Sequence, residues 1–110
     1  MRVSDILSAG YRLATRAESA DREYAGLYAG DLLSVVMKSA KPGNALVTVM
    51  ANMNAIAVAS LVDLPAIVLC EGARATSEMI ARADAEGIAL VETSRKAVDV
   101  VIDLDRRGLS

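Results

Sequence analysis

The chain has 110 residues, 54% of them apolar, with three tyrosines as its whole aromatic content and a formal net charge of −2. That balance, with a pI of about 5.0, excludes the basic footprint of a nucleic-acid or anionic-membrane binder. The absence of histidine excludes His-based triads and imidazole acid–base work, and a lone cysteine excludes an internal disulfide or a cysteine-rich zinc site.

A chain of this length can bury one core without staples, so a single domain over residues 1–110 is expected. Without Phe or Trp the core must be aliphatic. Cys70 sits in an apolar run and suits a reducing cytoplasm. The start, MRVSDILSAGYR, carries Asp5 and has no long apolar region, so no secretory leader is expected. The apolar stretch 45–62 is interrupted by Asn52 and Asn54 and changes period midway, which argues against a membrane span.

The first element predicted is a short helix over residues 3–9, with Ser4 as N-cap and Gly10 as its stop. Residues 11–15 (YRLAT) alternate as a short strand does. Residues 16–23 are charged and read as an exposed turn. Residues 24–29 (YAGLYA) suit a second short strand at a sheet edge. Asp31 then opens a helix over residues 31–38, as cap and dipole partner, with Leu32, Val35 and Val36 facing inward. Lys41-Pro42-Gly43-Asn44 is a turn.

Residues 45–50 form a β-rich run containing Val47, Thr48 and Val49, closed by the polar knot Ala51-Asn52-Met53-Asn54. A short apolar helix over 55–62 leads to a continuous apolar strand at 66–70. Two buried strands joined by a helical crossover make a parallel βαβ unit. A loop at 71–74 precedes an amphipathic helix at 76–86, capped by Thr76 and ended by Gly87. A strand at 88–91 and a last helix from Thr93-Ser94 complete the chain. That helix is expected to turn Ala97, Val98, Val101, Ile102 and Leu104 inward. The order is that of a layered α/β fold with a mainly parallel β-sheet flanked by helices.

No stretch matches a P-loop or a dinucleotide-binding glycine pattern. Nor does any spacing suggest a metal site, a cofactor or a catalytic set. In an open α/β sheet ligands bind at the carboxyl ends of the strands, at a switch in strand order. That rule brings together Gly30-Asp31, Asn52–Asn54, Glu71-Gly72 and Thr93-Ser94, where helix N-termini offer free N–H groups. The candidate ligand-binding residues are Asp31, Ser34, Thr48, Asn52 and Asn54. Each has a plainer reading. Taken singly, Asp31, Asn54, Thr76 and Ser94 read first as N-caps, and Thr48 as a β-branched filler. Asn52, set between two apolar elements, needs partners of some kind. Cys70 reads as a small buried hydrophobe.

A different use of the chain is surface contact. Met37, Met50, Met53 and Met79 are adaptable contact residues, and Tyr24 and Tyr28 on an edge would suit an interface; the plainer reading is that all of them fill the core, and for Met79 it is the preferred one.

The string ADREYAGLYAGDLLSVVM, then VTVMANMNAIAVA and IVLCEG, resembles the DRTGG domain. The matching positions are Asp21-Arg22, Gly26, Asp31-Leu32-Leu33-Ser34, Thr48, and Asn54 with Ala57-Val58-Ala59. Leu27 stands where the second glycine of the name motif falls, and Met50 and Asn52 stand where Gln and His often follow the strand threonine. The resemblance implies a fold similar to the N-terminal domain of HPr kinase/phosphatase, without its catalytic P-loop. It also implies a non-catalytic regulatory or ligand-sensing role, a homodimer, a possible partner enzyme, and a nucleotide or phosphorylated metabolite as ligand. The other readings are a structural module that docks on a partner enzyme without a small molecule, and an enzyme using Asp31 and Glu71 as an acid–base pair.

Overall fold

The computed structural model describes residues 1–110. The elements run α1 (Val3–Ile6), β1 (Arg12–Leu13), a 3-10 turn (Ala17–Asp21), β2 (Leu27–Ala29), α2 (Leu33–Ser39), β3 (Ala45–Thr48), α3 (Met53–Leu61), β4 (Ala66–Leu69), α4 (Ser77–Glu86), β5 (Ala89–Glu92) and α5 (Ala97–Arg106). The strands form one five-stranded sheet in the order β1-β5-β4-β3-β2. β2 to β5 run parallel, and β1 pairs antiparallel with β5. The layered, mainly parallel α/β architecture expected from the sequence is the one found.

The layering follows from connectivity. β2, β3, β4 and β5 lie side by side in chain order, so each crossover joins neighbours. Crossovers of one hand then place α2, α3 and α4 on the same face. Leu46, Ile67, Leu69 and Leu90 point to that face and pack with Val36, Ile56, Ala59, Met79 and Ala83. The alternate residues Ala45, Val47, Ala66, Val68 and Val91 point to the other face, where Val3, Ile6, Tyr24, Val100 and Leu104 cover them. With both faces covered, every residue of β3, β4 and β5 is buried. α3 is the middle helix of its layer and meets both α2 and α4. It therefore carries no charge and has little one-sidedness, which is why its sequence reads as merely apolar.

Two inward faces differ from expectation. In α2 the residues turned to the sheet are Leu33, Val36 and Ala40, whereas Leu32 is 64% and Val35 43% exposed. In α5 they are Ala97, Val100, Val101 and Leu104, a stripe of period i, i+3, i+4, i+7. Val98 and Ile102 fall about a quarter turn away and are 60% and 44% exposed. Both helices hold more aliphatic residues than one stripe can bury.

Tyr24 is also not an edge residue. It is 2% exposed and its hydroxyl donates to the Leu109 carbonyl at 2.6 Å. Tyr11 is buried too; its hydroxyl donates to Asp103 at 2.8 Å, and Arg95 and Arg107 lie over its ring. Met79 is core, fully buried.

Candidate functional site at the carboxyl edge of the sheet

In-register pairing lines up Thr48, Leu69 and Glu92 at the carboxyl ends of β3, β4 and β5, with Arg12 of β1 opposite Glu92. Two polar clusters result, one on each side of Leu69.

The first holds the residues singled out from sequence. Asp31 accepts hydrogen bonds from Thr48 Oγ1 at 2.8 Å and from the Val49 N–H at 2.9 Å, both on Oδ1. Thr48 Oγ1 in turn accepts from the Met50 N–H at 3.2 Å. Thr48 is 1% exposed, so this satisfies a hydroxyl that burial would otherwise penalise. Asp31 is not the cap of α2; that position is Leu32, which makes no side-chain cap bond. The carboxylate was free to reach across to β3 because β2 ends two residues earlier, at Ala29.

Asn52 and Asn54 exchange their expected places. Asn52 caps α3, its Oδ1 accepting from the Ala55 N–H at 3.2 Å. Asn54 lies within the first turn, exposed. Ser34 is exposed as well, and neither side chain hydrogen-bonds within the chain. The structure thus brings Asp31 and Thr48 into contact, puts Asn52 on the adjoining cap, and turns Ser34 and Asn54 to solvent. Thr76 caps α4 as expected, accepting from the Met79 N–H at 3.1 Å. Ser94 caps nothing, because α5 starts after Lys96.

The second cluster was not singled out from sequence. Glu92, 6% exposed, ends β5 as a carboxylate where the apolar run IALV suggested a strand stopping at Val91. Arg12 pairs with its Oε1, Arg74 lies 3.6 Å from the same oxygen, and the Ala75 N–H donates to Oε2 at 2.7 Å. Burial works to raise the Glu92 pKa, but the Arg12 hydrogen bond, the Ala75 N–H and the charges of Arg12 and Arg74 outweigh it and hold the carboxyl below its usual range. A cavity of about 200 Å³ opens here, lined by Gly10, Arg12, Gly72, Arg74, Glu92, Thr93 and Ser94 among others. The signal in the sequence was a carboxylate closing an otherwise apolar strand, with no partner in its own segment.

Other features carry less. A cavity of about 490 Å³ at the amino end of β5 is lined by charges of both signs, Arg16 and Arg22 against Glu18, Asp21 and Asp84. No three His, Cys, Asp or Glu side chains converge as metal ligands would. No helix is long and apolar enough to cross a membrane. Cys70 is buried, and that burial pushes its thiol up to about 11.

Contrary to expectation, the sheet has no switch in strand order among its parallel strands. β2 to β5 run in sequence, so α2, α3 and α4 diverge nowhere, and the one reversal is the antiparallel edge strand β1. The polar clusters arise instead from the strand ends themselves.

No protein-family model matches the sequence, and no curated protein does. Among solved structures the fold is similar to the crystal structure of the CBS and DRTGG domains of the regulatory region of Clostridium perfringens pyrophosphatase, complexed with the activator diadenosine tetraphosphate. The TM-score is 0.73 at 12% identity, over 91% of this chain and 43% of that one. The likeness is one of fold, and this chain spans less than half the length of that regulatory region.

Proposed function

We propose that residues 1–110 form a single DRTGG-type domain that acts as a non-catalytic regulatory or ligand-sensing module, working as a homodimer in the cytoplasm. The observation that carries this reading is the fold shared with a regulatory region that takes a nucleotide activator. Support for one domain comes from the ends of the chain. Arg107 donates to the Ile6 carbonyl, and Val3 and Ile6 share a core with Val100 and Leu104. A buried free thiol suits a reducing compartment. For a dimer, Leu32, Val35 and Met37 along α2 leave apolar surface exposed beside the open edge strand β2.

In this reading the ligand is a nucleotide or phosphorylated metabolite held at the carboxyl edge of the sheet, with Asp31, Ser34, Thr48, Asn52 and Asn54 along its β2–β3 side. The acid–base alternative is weakened, since Asp31 Oδ1 is already committed to Thr48 and Val49. A thermal-shift series with adenine nucleotides and phosphorylated metabolites tests the proposal. A saturating tight ligand raises the melting temperature by several degrees. No response across the panel overturns ligand sensing and favours a purely structural module on a partner enzyme. A monomer by sedimentation at micromolar concentration removes the dimer.

A further inference from the structure

We propose that the cavity between β1 and the loops after β4 and β5 is a phosphate subsite, in which Arg12 and Arg74 grip a phosphoryl group and Glu92 holds the two guanidinium groups in place. This names the chemistry of the sensing reading above, and its use in regulation rests on that reading.

Two arginines meet one carboxylate, so the cluster keeps a net charge of +1, and Arg95 stands close by against Gly10, which also lines the cavity. Arg12 and Arg74 are 62% and 68% exposed at the side chain, whereas Glu92 is 6% exposed. The carboxylate is therefore at the floor and the two cations at the mouth. Glu92 uses Oε1 for the arginines and Oε2 for the Ala75 N–H, which leaves most N–H groups of both guanidiniums free to donate. The planar fork of Arg12, hydrogen-bonded to a buried partner, loses less freedom when it takes an anion, while Arg74 is held near it by charge alone.

Neutral donors line the same cavity. The Arg74 and Ser94 backbone N–H groups donate to no group of the protein. The Ser94 hydroxyl is uncommitted. The Thr93 hydroxyl accepts from the Arg95 N–H at 3.2 Å and keeps its own proton to give. The loop between β4 and α4 passes through left-handed backbone at Glu71 (φ 57°) and Gly72 (φ 78°), which bends it back so that the Gly72 N–H bonds the Thr93 carbonyl at 3.0 Å and the two loops become one rim. At about 200 Å³ the cavity is smaller than the roughly 300–1,000 Å³ of drug-sized ligand pockets. It fits one phosphoryl group, free or at the end of a larger molecule, and not a whole nucleotide.

Titration of the ¹⁵N-labelled chain with inorganic pyrophosphate, and separately with ADP, tests this by NMR. Pyrophosphate is expected to shift the amides of Gly72, Arg74, Thr93 and Ser94. Arg74→Gln, at an exposed position, is expected to weaken it by roughly tenfold or more, as loss of a charged hydrogen bond does. Arg12→Gln repeats the test from the other side of the cavity. Unshifted loop amides, or unchanged affinity in both variants, overturn the proposal. ADP shifting amides around Asp31 and Asn52 alone overturns the subsite but leaves ligand sensing standing. Pyrophosphate shifting these loops with no nucleotide or metabolite in the wider panel bound does the reverse.

Discussion

Asp31 and Thr48, 17 residues apart in the chain, share a 2.8 Å hydrogen bond that ties the end of β2 to the end of β3. The same carboxylate oxygen takes the Val49 N–H, so one side chain closes the carboxyl end of the parallel pair where the ladder stops. This is a structural role at a position that sequence reading assigned to helix capping or to ligand.

Removing that acceptor leaves the proton of a buried hydroxyl and a backbone N–H without an acceptor, although the hydroxyl oxygen keeps the Met50 N–H. Asp31→Ala is expected to cost about 1–3 kcal/mol. In a Thr48→Val background the loss should shrink, because only the Val49 N–H is then orphaned. Urea denaturation of the four-protein cycle measures the coupling. Equal costs in both backgrounds would show that the pair contributes nothing as a pair.

Gly87 ends α4 with φ +73°, and an added Cβ would clash with the Arg22 guanidinium. The arginine tip can swing aside, but the backbone cannot change sign of φ without losing the cap. Gly87→Ala is therefore expected to cost about 1–2 kcal/mol from backbone strain. The loss should be nearly the same in an Arg22→Ala background. A cost that vanishes there would place the penalty in the side-chain clash instead.

The Glu92 carboxyl is held below the ordinary glutamate value of 4.5 by its arginine and Ala75 N–H partners. Its ionised form is favoured in the folded chain, so its contribution to stability is fully present above that value and lost as pH falls through the lower folded pKa. Glu92→Gln should flatten the acid limb of a stability–pH profile measured by chemical denaturation. A limb of unchanged steepness would remove Glu92 from the acid response.

At alkaline pH the tyrosines act in the other direction. Burial first, then the Asp103 hydrogen bond and charge, pushes Tyr11 up to about 12. Burial, with the Asp5 charge, does the same for Tyr24. Both phenols are raised above their unfolded value of 10.0. Their stabilisation is intact below that value and falls away as pH rises through about 12. Tyr24→Phe should shift the alkaline unfolding midpoint, followed by circular dichroism, upward relative to the loss it causes at neutral pH. A parallel displacement at every pH would show that Tyr24 ionisation is not linked to unfolding.

The order of elements from residue 45 onward, the Thr76 cap, the Gly87 stop and the burial of both faces of the sheet are legible in the amino-acid string. These depend on periodicity, on short-range capping and on glycine geometry, all of which are local. Apolar runs such as AIVL at β4 state their burial directly, because only a strand covered on both sides tolerates them. Tertiary structure alone decided which of several apolar stripes on α2 and α5 faces inward, since the choice depends on the neighbours each helix meets. It decided that Asp31 bonds β3 rather than capping α2, and that Asn52 rather than Asn54 is the cap. It decided, above all, the partners of Glu92. Arg12 lies 80 residues away in the chain, and Arg74 sits on a different loop. Charge pairs at such separations leave no periodic trace in a sequence; they form because an antiparallel edge strand happens to set Arg12 opposite the last residue of β5.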